Sequence, residues 1–310
     1  MTTKPTTAFI GLGNIGARCA RHVVAAGFPT TICDLDPQRG KALVDVGAVW
    51  VDSPAEAAAQ AQVVVMSLPG PDDVETVLTG PAGVLSTAVQ GAVVVDLSTI
   101  SLRAARRFYD RCRDAGVAYV DSPVSGGVWA AEAANLTLMV GGDAEAFDTV
   151  REVLLTFGRD DTVRLGGPGT GTLLKLLNNQ IFLVGNQVVQ EAYVLASKAG
   201  LDPQTFYNTL NSGSAGMFMQ LSPMVLNRQW DNSSYDLALA EKDLYLALET
   251  ARDHATSMPM ASAAHQTLLE AIAAGLGDKF FLATTEVFEH RAAHTSPSYD
   301  PTAPNNQDGR

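Results

Sequence analysis

The hexapeptide Gly11-Leu12-Gly13-Asn14-Ile15-Gly16 constrains this chain more than any other feature. It follows the apolar run Thr7 to Ile10 and opens an amphipathic stretch, so it joins a strand to a helix. In that setting Gly11 permits the tight turn, Gly13 lets the backbone approach a pyrophosphate, and Gly16 lets the helix pack closely on the sheet. The helix N-terminus then faces the phosphates with its free N–H groups and positive dipole end. The next strand, Pro29 to Cys33, leads into Asp34, whose carboxylate is placed to accept ribose hydroxyls and to repel a 2′-phosphate. Leu35, Asp36 and Pro37 follow with no arginine before Arg39, which favours NAD over NADP. Each feature has a plainer reading as an ordinary turn or strand end; strand, turn, helix and acid together favour a dinucleotide.

The same alternation continues through the first half. Strands are expected at Val63 to Ser67, Val93 to Leu97, Ala118 to Asp121 and Leu136 to Val140, with helical patterns between them. This rhythm predicts βαβ units and a parallel sheet. After Gly166, Gly167, Pro168 and Gly169 the strand signals stop, and a long helical pattern runs from about Thr170 to Ala199, with Gly200 as its stop. Further helices are expected at Pro203 to Asn211, Pro223 to Asn227, Leu237 to His254 and Met260 to Ala274. The fold class is therefore α/β: an N-terminal Rossmann-type, doubly wound parallel sheet over 1–167, followed by a C-terminal all-α domain over 168–294. The polar, proline-bearing stretch 295–310 reads as a solvated tail.

Composition narrows the function classes. At 310 residues and 46% hydrophobic the chain can bury two cores, and 17% charged residues are too few for disorder. A formal charge of -12 opposes the counterion release that drives binding to nucleic acid. Cys19, Cys33 and Cys112 have neither disulfide nor metal spacing, and His22, His254, His265, His290 and His294 lack ligand spacing, so no metal is expected. No basic leader followed by an apolar run is legible, and no apolar stretch of about 18 residues runs unbroken, so a soluble cytoplasmic protein with no membrane partner is expected.

Lys175 and Asn179 stand four apart on the long helix, with Gly171 a turn earlier and Asn178 adjacent, so they share a face. A lysine on an apolar helix face is costly unless paired or used, although it can also snorkel to solvent. Ser125, Gly126 and Gly127 follow a strand and a proline; their small side chains leave backbone N–H groups able to meet a carboxylate, or form a plain turn.

Three stretches resemble the β-hydroxyacid dehydrogenases, the family of 3-hydroxyisobutyrate dehydrogenase: Asp96-Leu97-Ser98-Thr99-Ile100-Ser101, Asp121-Ser122-Pro123-Val124-Ser125-Gly126-Gly127, and Gly171-Thr172-Leu173-Leu174-Lys175-Leu176-Leu177-Asn178-Asn179. With the opening glycine turn and Lys242-Asp243, the resemblance covers about residues 8 to 292. It implies an NAD-dependent oxidoreductase acting on a small carboxylate-bearing β-hydroxy acid in the cleft between the domains. It further implies Lys175 as general acid/base, Asn179 as its orienting partner, and Asn178, Ser125, Gly126 and Gly127 around the substrate. By the same resemblance Leu68, Pro69 and Val74 border the adenosine and ribose, Thr99 lies near the nicotinamide, Lys242 reaches the cofactor, and Asp243 and Tyr235 line the substrate. Met217 and Phe218 are further candidates for closing the nicotinamide side. The resemblance, with the apolar long helix, implies a homodimer or homotetramer.

Trp129 departs from the small residues that often follow this loop, and leaves open whether the pocket is narrowed or extended. Two other readings stand beside this one. An imine reductase shares the glycine turn and helical domain but usually replaces the lysine and favours NADP. A non-catalytic dinucleotide-binding module would not need Lys175 with Asn178 and Asn179.

Overall fold

A computed structural model describes residues 4–231 and 233–298. The chain forms two compact units, Met1–Leu177 and Asn178–Arg310. This division falls within the long helix that follows the glycine cluster around Pro168.

The first unit is built on ten strands: β1 (Thr7–Ile10), β2 (Thr30–Cys33), β3 (Val49–Trp50), β4 (Val63–Met66), β5 (Val93–Asp96), β6 (Ala118–Asp121), β7 (Val124–Ser125), β8 (Thr137–Leu138), β9 (Val140–Gly141) and β10 (Arg164–Gly166). Between them lie α1 (Gly16–Ala25), α2 (Lys41–Val44), α3 (Pro54–Ala58), α4 (Pro71–Thr79), α5 (Leu102–Asp114), α6 (Gly127–Glu132) and α7 (Ala144–Leu154). Eight strands form one sheet in the order β10-β9-β6-β5-β4-β1-β2-β3. Its six strands from β6 to β3 are parallel and carry the doubly wound order, reversing between β1 and β4. The central strands are buried on both faces, which is why they read as unbroken apolar runs. Alternate residues divide between two cores: Phe9, Val63, Val65, Val93 and Val95 on one face, Ala8, Ile10, Val64, Met66 and Val94 on the other. Helix α1 buries Gly16, Cys19, Ala20 and Val23, the spacing of a single helix face.

The expected strand Leu136 to Val140 does not form as one element. Leu136 makes an isolated bridge to Gly158, β8 pairs antiparallel with β7 in a separate ribbon, and β9 joins the main sheet antiparallel to β6. The apolar run is broken because its residues serve three different partners.

Helix α8 (Thr170–Lys198) is a continuous 29-residue helix. It ends as expected before Gly200, which takes a left-handed φ of +84° while the Leu201 N–H bonds back to Ala196 O. The second unit adds α9 (Pro203–Ser212), α10 (Ser222–Leu226), α11 (Leu237–Asp253), α12 (Pro259–Ala271) and α13 (Thr284–Ala292). Its core joins Leu183, Val189 and Tyr193 of α8 to Leu237, Leu244, Leu268 and Phe281. Residues 295–298 correct the reading of a free tail from 295. Ser296 is buried and its N–H donates to Glu289 Oε1 at 2.9 Å, while Tyr193 Oη donates to Pro297 O. The rest of that stretch, 299–310, lies outside the described residues. No helix among the described residues is long and apolar enough to cross a membrane.

Candidate active site

The candidate residues of the first unit gather where strands end. Gly11 follows β1, Asp34 follows β2, Leu68 follows β4, Thr99 follows β5 and Ser125 follows β6, so all sit toward the carboxyl edge of one parallel sheet.

The three glycines of the turn do different work. A Cβ on Gly11, whose φ is +89°, would fall inside contact distance of Ser67 O, and one on Gly16 would meet Gly11 O. Both positions are closed by backbone packing. A Cβ on Gly13 would meet nothing nearer than Arg39 Nη1 at 3.9 Å. The fold therefore does not need Gly13, and the open approach to its backbone fits a pyrophosphate. Asn14 is exposed, Ile15 is half-buried and packed against the core, and Leu12 is buried.

Asp34 anchors this turn. Its Oδ2 accepts the Leu12 N–H at 2.6 Å and its Oδ1 accepts the Asp36 N–H at 2.9 Å. The acid read from the sequence as a ribose acceptor thus also locks the glycine turn to the end of β2. Arg39, which sequence reading set aside, stands beside it with Nη1 at 3.8 Å from Asp34 Oδ2. Leu35 is fully solvent-exposed.

The loops after β4 and β5 are tied together. Leu68 N–H donates to Ser98 Oγ at 2.9 Å, Ser98 N–H donates to Asp96 Oδ1 at 2.9 Å, and Tyr119 Oη donates to Asp96 Oδ2 at 2.8 Å. Pro69 is exposed and Thr99 half-buried, whereas Val74 is fully buried in the core and contributes through packing. Burial pushes the Asp96 carboxyl up to about 6 from 3.8, against the hydrogen bonds from Ser98 and Tyr119 that hold it down. A carboxyl raised in the native state stabilises the fold below its unfolded value near 4, and that contribution is lost as pH rises through about 6. Asp96→Asn, which stays neutral and can still pair with Ser98 and Tyr119, is expected to gain several degrees in melting temperature relative to the parent between pH 4 and pH 7. A pH-independent difference in calorimetry would contradict this.

The loop after β6 is shaped by Gly126 and Gly127, at φ +122° and +64°, conformations that favour glycine. A Cβ on Gly126 would lie 2.5 Å from Ala130 Cβ. Helix α6 follows and is held against α1, since Glu132 pairs with both Arg18 and Arg21. Trp129 on that helix is 61% exposed. Ser125 is half-buried at the end of β7.

Lys175 is half-buried on the second turn of α8. Asn178 and Asn179 follow on the same helix in the second unit, where they enter a polar chain that sequence reading missed. Asn178 Nδ2 donates to Asn179 Oδ1 at 3.0 Å, and Asn179 Nδ2 donates to Asp243 Oδ2 at 2.7 Å. Tyr235 Oη donates to the same oxygen at 2.9 Å, and Lys242 Nζ lies 2.9 Å from Asp243 Oδ1. The Asn179 amide is therefore oriented by the buried carboxylate of Asp243. Burial and that carboxylate push the Tyr235 hydroxyl well above its ordinary value, so it remains a donor. Its ring packs edge-on against Phe281. Met217 is largely exposed, and the Phe218 ring closes over Gly185, where a Cβ would meet Phe218 Cδ1 at 2.9 Å. Among the described residues no group of three or more His, Cys, Asp or Glu side chains comes together to hold a metal.

Residues 6–167 match the NAD-binding domain of 6-phosphogluconate dehydrogenase, and residues 169–288 match the NAD-binding domain of NADP-dependent 3-hydroxyisobutyrate dehydrogenase. A 2-(hydroxymethyl)glutarate dehydrogenase from Eubacterium barkeri is 33% identical, over 91% of this chain and 94% of that protein. The chain belongs to the β-hydroxyacid dehydrogenase family. As a β-hydroxyacid dehydrogenase it carries the domains that bind a nicotinamide dinucleotide. The solved 3-hydroxyisobutyrate dehydrogenase of Mycobacterium tuberculosis, with L-serine, is 30% identical with a TM-score of 0.83, covering 92% of this chain and 99% of that one. An imine reductase from Pseudomonas sp. aligns at a TM-score of 0.60 and 20% identity, covering 93% of this β-hydroxyacid dehydrogenase and all of that chain, a likeness of fold alone.

Proposed function

We propose that this β-hydroxyacid dehydrogenase oxidises a small β-hydroxy acid of the 3-hydroxyisobutyrate type with NAD, and that Lys175 is its general acid/base. The observation that carries the reading is the convergence of the Gly13 opening, the Asp34-locked turn and the glycine loop on one edge of the sheet that ends in the Lys175 helix. The bound nicotinamide supplies the hydride acceptor. Lys175, as the free amine, takes the hydroxyl proton as the carbinol hydride departs and the C=O bond forms; in reduction the ammonium returns that proton to the carbonyl oxygen. Ser125, Gly126 and Gly127 hold the substrate carboxylate through small side chains and backbone N–H groups. Asn178, Tyr235 and Asp243 line the substrate, and Asp243 holds Asn179 so that its amide cannot rotate freely. Leu68, Pro69, Thr99 and Lys242 contribute to the cofactor site. The charge of Asp34 opposes a 2′-phosphate and favours NAD, with Arg39 moderating that preference.

Turnover of a panel of hydroxy acids with NAD and with NADP tests the reading, and its failure with every acid would reject it. Gly13→Ala isolates the cofactor claim, because the added methyl meets open space in the protein. The variant is expected to keep its melting temperature within about a degree and to lose roughly tenfold in NAD affinity, about 1.4 kcal/mol. Unchanged affinity would place the pyrophosphate elsewhere.

We further propose a homodimer or homotetramer, formed through α8. Ile181, Val188 and Leu195 repeat at heptad spacing on that helix and are 60%, 57% and 70% exposed, a stripe that a second copy can cover. Light scattering at the 32.6 kDa of a single chain would reject this. Three free, buried cysteines are compatible with a reducing cytoplasm.

A further inference from the structure

We infer that Asp121 is a positioning residue that fixes the helix turn bearing Lys175 to the strand that leads into the carboxylate-binding loop. The inference rests on the role proposed above for Lys175. Asp121 is the last residue of β6, is buried, and points both carboxylate oxygens at the start of α8. Oδ1 accepts the Gly169 N–H at 2.8 Å and Oδ2 accepts the Thr172 N–H at 2.8 Å. These are among the N–H groups that a helix start leaves without intrahelical partners, and a buried carboxylate satisfies two of them with charge-assisted bonds.

The surroundings are shaped to let this contact form. A Cβ on Gly141, the register partner of Asp121 across β9, would lie 2.6 Å from Asp121 Oδ1. A Cβ on Gly171 would fall inside contact distance of Met139 O and lie 2.6 Å from Asp121 O. Two positions therefore lack side chains so that the helix start can sit directly on the strand end. Thr172 is one turn before Lys175, and Ser122 through Gly127 follow Asp121 without interruption. One side chain thus spans from the strand that feeds the glycine loop to the turn that carries the acid/base. A displacement of that turn by 1 Å is the kind of error that costs turnover far more than it costs folding.

The test compares Asp121→Asn with the parent and with Thr30→Val. Asparagine is isosteric but turns an NH2 group toward one of the two N–H donors, so one bond is lost and α8 must shift. Thr30→Val removes a buried hydroxyl that pairs with Thr7 Oγ1 at 2.8 Å, at the opposite edge of the sheet. Asp121→Asn is expected to lose at least tenfold in kcat while the NAD dissociation constant stays within twofold, whereas Thr30→Val lowers the melting temperature comparably and leaves kcat unchanged. Asp121→Glu keeps the charge but is longer by one methylene, and is expected to lose kcat as well; it serves as the second variant if the asparagine form does not fold. A kcat within threefold of the parent in the folded variant overturns the inference. So does a parallel loss of kcat in Thr30→Val, which would reduce the effect to stability. Absence of turnover in the parent with every hydroxy acid overturns the functional reading and this inference with it.

Discussion

Lys175→Ala is expected to lower kcat/KM by about 10³-fold, the middle of the range for removing a general acid/base. NAD binding should stay within a few fold, because the glycine turn and its Asp34 lock do not involve the lysine. On the proposed role of Lys175, the residual rate should have lost the rising limb of its pH profile in the oxidative direction, because the free amine would be the base that limb follows. Exogenous small primary amines should restore part of the rate in the alanine form, with the larger gain from the more basic amine at saturating pH. A variant that retains more than a tenth of parental kcat/KM would remove Lys175 from the chemistry and leave the fold assignment untouched.

Arg228→Ala is expected to destabilise the second unit strongly. Arg228 Nη1 lies 2.9 Å from both carboxylate oxygens of Glu289, which is buried, while Glu286 stands 3.5 Å from its Nη2. Among the described residues, removing the guanidinium leaves the Glu289 carboxylate the Ser296 N–H as a hydrogen-bond donor. Loss of one partner from a buried pair costs about 3–5 kcal/mol; with Arg228 itself a third exposed, about 3 kcal/mol is the expected figure. For a unit of this size that corresponds to a melting transition lower by roughly 6–12 °C. The double variant Arg228→Ala with Glu289→Leu should recover much of the loss, because neither charge is then stranded. A double variant as unstable as the single would mean that packing, rather than the buried charge, dominates at this site.

What was legible in the chain, and what was not, follows from how far apart the cooperating residues lie. The glycine turn, the apolar strands β1, β4, β5 and β6, and the start and stop of α8 are local patterns, and they appear within a residue or two of where periodicity places them. The two-residue strands β3, β7, β8 and β9 have no period to read. Helix α13 was hidden because its buried face includes Thr284, Thr285 and Glu289, polar residues paid for by Gln190 and Arg228 from elsewhere in the chain. The same holds for the candidate site. Lys175 and Asn179 share a helix face and are visible together, but the Asn179 to Asp243 hydrogen bond spans 64 positions. No spacing rule finds such a pair. The double duty of Asp34, a candidate ligand that also binds the Leu12 N–H, was equally invisible, because it depends on the glycine turn folding back over the strand end.

A sheet whose candidate chemistry gathers at one edge leaves the other edge free for engineering. Gly47 and Gly91 sit in turns leading into β3 and β5, at φ +108° and +81°, and a Cβ added at either would have no neighbour within 4 Å. Such surface turns tolerate interruption. New termini, or a fluorescent reporter, placed after Gln90 would enter the chain at the far end of β5 from Thr99. A circular permutant opened there would carry its tag on the side of the sheet away from the glycine turn, and would make a dinucleotide biosensor scaffold out of this domain.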